Sequence, residues 1–438
     1  MSGVRVFRSF GWPSRLLMIN QFGINLGFYM LMPYLAGYLA GSLGLAAWAV
    51  GLVLGVRNFS QQGMFIVGGT LADRLGYKPL IVAGCLLRTA GFGLLVFAHS
   101  LPAVLIASAA TGFAGALFNP AVRAYLAVDA GSRRVEAFAL FNVFYQAGIL
   151  AGPLVGLALM AVDFRLTAAG AAGVFALLTI AQLFALPRRE ADSAQAATSV
   201  LQDLRAVAGN RSFLLFAVAM IGSYVLTFQV YLALPLYAAE LAPDYSAALI
   251  AAIFAVSGVV SVTAQLRITR WFSSRWGTSR SLVIGMTVVA LSFVPLIIVP
   301  GNRFGTLPGI VALLTSTAVL ALGSAAVFPF EMDTVVALCG GRLVGTHYGF
   351  YSTIVGVGIL AGNVGVGALI HAAPQWDAGV LVWMALAAIG LLCAAALAAL
   401  ARRGHLPPGP DRPLAARSLI GSSQNKQGGT TDVGKTQK

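Results

Sequence analysis

Charge is scarce in this chain, and acidic charge is scarcest. Of 438 residues only 14 are Asp or Glu, against 28 Lys and Arg; charged residues make up 10% where hydrophobic ones make up 58%. A water-soluble domain of this length could not cover its surface with so few polar groups, so a soluble globular fold is excluded. Cysteine is limited to Cys85, Cys339 and Cys393, an odd set inside or at the end of apolar runs, which excludes a disulfide framework. His99, His347, His371 and His405 are scattered without metal-ligand spacing, and no nucleophile elbow, phosphate loop or zinc signature occurs. Enzymatic chemistry has no foothold, and neither a cofactor nor a metal is expected.

Long hydrophobic runs fill the chain instead, and mean hydropathy is +0.85. Runs able to span about 30 Å of hydrocarbon lie near 16–40, 46–69, 79–98, 101–128, 136–162, 164–186, 212–239, 246–270, 281–299, 308–338, 347–373 and 376–401. Helices keep their backbone groups satisfied inside lipid, and the ten-residue alternation of barrel strands is absent. The expected fold is an all-α membrane protein with twelve transmembrane helices. The first run follows Arg5, Arg8 and Arg15, yet it exceeds the apolar core of a secretory signal and reads as a retained span.

The net charge of +14 is informative through its distribution. With the N-terminus inside, Arg165 and Arg303 fall in external loops, Arg57, Arg88, Arg123 and Arg267 fall within spans, and the other 22 basic residues face the cytoplasm. That is the positive-inside pattern. It puts both termini in the cytoplasm of a multi-pass protein of the cytoplasmic (inner) membrane. It also accounts for the basic chain without a nucleic-acid partner and brings the loops against anionic membrane lipid.

An internal duplication orders the spans. Gly148-Ile-Leu-Ala-Gly152 recurs as Gly358-Ile-Leu-Ala-Gly362, Phe118-Asn-Pro120 matches Phe328-Pro329, and Arg74-Leu-Gly76 matches Arg275-Trp-Gly277, at offsets between 201 and 210 residues. Two pseudo-symmetric six-helix bundles, 1–186 and 212–401, are expected around a cytoplasmic linker, 187–211, with a disordered cytoplasmic tail, 402–438. In the linker Val200, Leu204 and Val207 share one helical face, as in a helix lying on the membrane surface.

Polar side chains concentrate in spans 1, 2, 4, 5, 7, 8, 10 and 11, while spans 3, 6, 9 and 12 carry only Arg88 and Gln182 among Arg, Asn, Gln and acidic residues. Such groups avoid lipid, so Gln21, Asn25, Arg57, Gln61, Tyr145 and Gln229 are expected to line a central watery substrate cavity. The alternative is that they tie helix to helix by hydrogen bonds.

Between spans 2 and 3, Gly69-x-Leu71-Ala72-Asp73-Arg74-x-Gly76-x-Lys78 forms a charged hinge whose glycines allow a tight turn and whose cations suit an inner leaflet. Asp73 is placed to meet the positive N-terminus of span 11 near Thr346 and bind the halves together; a solvated loop charge is the plain alternative. Asp129, at the end of span 4, is expected beside Arg74 or Lys78. In span 5, Gly148, Gly152 and Gly156 make a smooth stripe for close helix approach, and Pro153 removes one backbone hydrogen bond.

These two motifs resemble the major facilitator superfamily, the first its signature loop and the second the added signature of its drug/proton antiporters. Arg57-Asn-Phe-Ser-Gln61-Gln62-Gly63, Lys78-Pro79, Arg88-Thr-Ala-Gly-Phe92, Asp163-Phe-Arg-Leu166, Gln229-Val230, Leu234-Pro235 and Gly349-Phe350 resemble a multidrug-exporter branch of it. The resemblance implies alternating access, with Gly69, Asp73, Arg74, Gly76, Lys78 and Asp129 as a conformational switch and Gly148, Gly152, Pro153 and Gly156 as an antiporter motif. It implies export of an amphipathic small-molecule substrate with the proton as coupling ion. A monomer is expected.

The chain departs from the family pattern in lacking the deep arginine of span 4 and an acidic residue in span 1, which leaves Glu331 and Asp333 as the carboxylates within spans. The offset of 210 maps Arg123 onto Asp333, so Arg123 with Glu331 or Asp333 is the expected coupling pair or gate; hydrated charges with Arg342 as a partner are the alternative. A proton-linked uptake symporter and a non-transporting membrane sensor or scaffold are the other functional readings.

Overall fold

The computed structural model describes residues 3–41, 43–45, 47–160, 162–188, 200–372 and 379–407, and among them there is no strand. Apolar runs close their backbone hydrogen bonds within each segment, as a hydrocarbon surrounding requires. The first part of the chain holds α1 (Gly3–Arg8), α2 (Trp12–Tyr29), α3 (Met32–Gly41), α4 (Ala47–Gln62), α5 (Phe65–Leu75), α6 (Tyr77–Phe97), α7 (Leu101–Ala130), α8 (Arg134–Met160), α9 (Phe164–Ala185) and α10 (Val200–Gly209). Then come α11 (Arg211–Ala219), α12 (Ile221–Thr227), α13 (Ala233–Leu241), α14 (Ser246–Leu291), α15 (Val294–Ile298), α16 (Gly301–Phe304), α17 (Thr306–Leu338), α18 (Val344–Ala372) and α19 (Val380–Arg402).

Eight helical runs among the described residues are long and apolar enough to cross a bilayer. Two of them, Leu101–Leu159 with 59 residues and Ala248–Ile298 with 51, would measure roughly 75 to 90 Å as straight helices, far beyond one hydrocarbon core. The first is interrupted at Gly131, whose φ of 54° suits glycine. The second turns at Gly277, with φ 68°, where the Ser281 hydroxyl donates to the Phe272 carbonyl at 3.3 Å. Nine residues of straight helix would hold those groups about 13 Å apart. Each run is therefore two helices joined at a glycine rather than one straight rod. The interrupted pairs α2–α3 and α4–α5 stand where the first two of the twelve expected spans lie.

Small residues set the packing distances. α8 lies along α2 through the span 5 stripe: a Cβ on Gly156 would overlap the Met30 carbonyl, and Gly148 and Gly152 lie against Asn25 and Tyr29. The repeated pair, Gly358 and Gly362 of α18, lies against Ile221 and Val225 of α12. Helices of the two halves meet where α5 crosses α18 and where α8 packs on α14 and α17. On the outside, Leu177, Ile180 and Phe184 of α9 and Met384 and Leu392 of α19 are exposed apolar groups suited to lipid. Arg88 and Gln182, from the same outer class of spans, turn inward and are 5% and 0% exposed.

The linker helix α10 departs from the expected stripe. Val200 is 46% exposed, whereas Asp203 and Val207 are buried. Asp203 faces inward because Arg74 neutralises it at 2.7 Å, which removes most of the penalty of burying a charge. Residues 189–199 of the linker and 408–438 of the expected tail lie outside the described residues.

Candidate functional site

α5 and α18 cross at Gly69, Gly345 and Gly349, where missing side chains let backbone meet backbone; a Cβ on Gly349 would overlap the Phe65 carbonyl oxygen. The crossing delivers Asp73, 3% exposed, to the first turn of α18. There the Gly345 N–H donates to its carboxylate at 2.8 Å, the Thr346 N–H at 2.6 Å and the Thr346 hydroxyl at 2.7 Å, with the Tyr77 hydroxyl at 3.3 Å. These backbone donors are ones that a helix N-terminus leaves unpaired, and its partial positive charge favours an anion. Gly76, at φ 85°, turns the chain from α5 into α6, where Lys78 is half-buried. Arg74 reaches Asp203, while Asp129 accepts from the Ser14 hydroxyl at 2.6 Å.

The same arginine-rich end carries further ties between the halves. Asp333 pairs with Arg134 at the start of α8, N–O 2.9 Å. Glu136 pairs with Arg133 at 2.6 Å and meets Arg270 of α14 at 3.7 Å. Asn142 of α8 donates to the buried Gln265 side chain of α14 at 2.6 Å. Arg123 instead donates to the Ser352 hydroxyl of α18 at 3.4 Å. Glu331, 3% exposed, accepts from the hydroxyls of Tyr224 and Tyr351, each at 2.7 Å.

The expected partner of Asp333 is thus corrected from Arg123 to Arg134, while Arg123 stays within electrostatic reach of Glu331 without an ion pair to it among the described residues. Helix geometry gives the reason: residues two apart point to different sides, so the two carboxylates meet different neighbours. Asp333 faces α8, and Glu331 faces the tyrosines of α12 and α18.

The six expected cavity residues separate into two groups. Asn25 donates to the Tyr145 carbonyl at 2.8 Å, and Gln229 donates to the Val225 carbonyl at 2.7 Å and to Asn363 at 3.4 Å. Asn25 and Gln229 are 5% and 0% exposed and tie neighbouring helices of one half, so for them the hydrogen-bonding alternative describes this conformation. Gln21 is also buried, at 2%. Arg57, Gln61 and Tyr145 are half-buried. Arg57 bonds to Asn58 and lies 4.9 Å from the Phe28 ring centroid, and Gln61 and Arg88 both lie against Gly115. Arg134, Asp203 and Tyr351 complete contacts that the sequence did not single out; only their proximity in the fold identifies them.

The Major Facilitator Superfamily family model matches residues 17–308. An uncharacterized MFS-type transporter of Mycobacterium tuberculosis is 65% identical over 398 residues, covering 91% of this chain and 95% of its own. The multidrug resistance protein MdtH of Salmonella paratyphi B is 31% identical over 399 residues, covering 91% and 96%. Among solved structures, a peptide transporter POT in complex with sulfate superposes with a TM-score of 0.65 at 17% identity, covering 93% of this chain and 100% of that one. A human organic anion transporter superposes with a TM-score of 0.60 at 14% identity, covering 88% and 98%. Helical architecture, signature hinge and full-length relatives agree, and the chain belongs to the major facilitator superfamily as a multi-pass membrane transporter, not an enzyme.

Proposed function

We propose that this transporter exports amphipathic drugs or related small molecules in exchange for protons, by alternating access across the inner (cytoplasmic) membrane. It works as a monomer with its arginine-rich end and both termini inside. The moving bodies are residues 1–186 and 212–401. The observation that carries the reading is the contact of Asp73 with the N-terminus of α18: one buried carboxylate binds the two halves at the basic end, and releasing it opens that end. Support for export comes from the MdtH relatives and from the α8 glycine stripe packed on α2.

Glu331 and Asp333 divide the proton work. Ionised Asp333 holds Arg134 across the halves, while Glu331 lies buried between two tyrosine hydroxyls, in electrostatic reach of Arg123 but in no ion pair among the described residues. Protons arriving from outside neutralise these carboxylates, weaken the tie, and favour opening toward the cytoplasm, where drug loads and protons leave. That sign suits an antiporter.

Accumulation of fluorescent amphiphiles in cells tests the direction. Cells expressing the wild type should accumulate less than vector controls, and Asp73→Asn at equal expression should return accumulation toward the control. Higher accumulation in wild-type cells would point to uptake, and no difference across a broad panel would contradict export.

A further inference from the structure

Two guanidiniums sit inside the first half without a carboxylate partner. Arg57 and Arg88 share the ring of Phe28, their guanidinium carbons 4.9 and 5.2 Å from its centroid, and Arg88 also lies 5.3 Å from the centroid of Phe175. Arg88 is 5% exposed, yet its buried Nε has no hydrogen-bond partner, and neither has the buried Nη1 of Arg57. Among the described residues neither arginine forms an ion pair. Gln61 and Arg88 Nη2 converge beside Gly115, where a Cβ would come within 2.9 Å of Arg88 and 3.1 Å of Gln61. The bare glycine therefore lets a guanidinium and an amide pack directly against the backbone of α7.

Burying two like charges is costly, and arginine does not escape by losing its proton. Contacts to aromatic faces offset part of that cost, but they leave N–H donors unused. A structural role alone would be served as well by a buried carboxylate beside each arginine. The arrangement instead leaves unpaired positive charge among apolar walls, Phe28, Phe175 and Phe92, the last stacked on Phe175 at 5.3 Å. Such a site suits a ligand with an acidic head and an apolar body.

We propose that Arg57 and Arg88, with Gln61, bind the anionic group of an amphipathic ligand, a carboxylate, sulfonate or phosphate, so that the transporter favours acidic amphiphiles over cationic ones. The inference deepens the exporter reading by naming a substrate class. An anionic lipid headgroup shares the chemistry, and the experiment separates the two sources.

The purified full-length protein is placed in nanodiscs of phosphatidylcholine and titrated with naphthalene-sulfonate and with a naphthyl-trimethylammonium of matching size, with binding read calorimetrically and by thermal unfolding. The wild type should bind the sulfonate in preference and be stabilised by it. Arg88→Gln and Arg57→Gln should each weaken sulfonate binding on the order of 10- to 100-fold and leave the ammonium unchanged, as expected for loss of a charge-assisted contact. Arg57 is half-buried, so its variant keeps the test open should Arg88→Gln misfold.

Loss of sulfonate binding in phosphatidylglycerol discs, restored when the protein is returned to phosphatidylcholine, would assign the anion site to a headgroup. Retained sulfonate binding in those discs would assign it to the transported ligand. Equal binding of sulfonate and ammonium by the wild type, or unchanged sulfonate binding in both variants, would overturn the proposal. Proton-driven export measured in parallel keeps the two readings apart: export of cationic amphiphiles without an anion preference removes this inference alone, whereas sulfonate binding without any transport removes the exporter reading alone.

Discussion

Replacing Asp73 by Asn keeps the shape of the side chain and removes its charge. In the structure the carboxylate accepts three short hydrogen bonds from Gly345 and Thr346 and a longer one from Tyr77. An amide retains one acceptor oxygen but turns an NH2 group toward backbone donors. Hydrogen bonds to a charged acceptor contribute about 1.5 to 3 kcal/mol and neutral ones about 0.5 to 1.5. Because the contact is buried and its bonds are not additive, a net loss of about 2 to 3 kcal/mol is expected, or roughly 30- to 150-fold in the ratio of closed to open basic end. Spin labels at the exposed Ser132, between α7 and α8, and Ser274, in the turn of α14, report that ratio by pulsed electron resonance. Asp73→Asn should shift the distances to longer values at unchanged expression. Distance distributions identical to the wild type would refute the reasoning, since they would mean that the α5–α18 crossing holds without the charge.

Three further outcomes follow from the geometry. Arg134→Asp and Asp333→Arg should each loosen the basic end in the same spin-label measurement, and combining them should recover part of the closure; no recovery would mean that the 2.9 Å pair is not the tie. Gly156→Ala should lower the thermal midpoint in detergent, because the added methyl meets the Met30 carbonyl and overpacking costs about 1 to 3 kcal/mol. An unchanged midpoint would show that α2 and α8 can separate freely. Cysteines placed at Asn25 and Gln229 should react with water-soluble thiol reagents more slowly than cysteines at Gln61 and Tyr145; background from Cys339 is small near neutral pH, where burial pushes its thiol up to about 11.

The Asp73 contact was legible in the sequence because both partners are local signals: a carboxylate in a glycine-bounded hinge and a helix start at Thr346. Charge pairing within the bundle was not. The duplication aligns Arg123 with Asp333, but a tie across the halves joins whichever side chains the helix rotations bring together, and Arg134 is one such residue. Asn25 and Gln229 show a related limit, since polarity says that a side chain avoids lipid and not whether it faces a cavity or a sister helix. Helix interruptions also escape the obvious marks. Pro120, Pro153 and Pro329 lie within continuous helices, while the path breaks at Met30–Leu31 and Gly63–Met64. Glycine packing was more transparent, because the span 5 stripe and its copy at Gly358 and Gly362 both mark close helix approach.

Proton movement coupled to substrate tests the central claim most directly. Proteoliposomes holding the transporter and an internal pH dye, given an outward substrate gradient and no imposed pH difference, should show proton flux opposite in direction to substrate flux. Glu331→Gln should bind the same substrate and abolish the coupled proton signal. Proton and substrate moving in the same direction, or substrate flux with no proton movement in the wild type, would contradict the account.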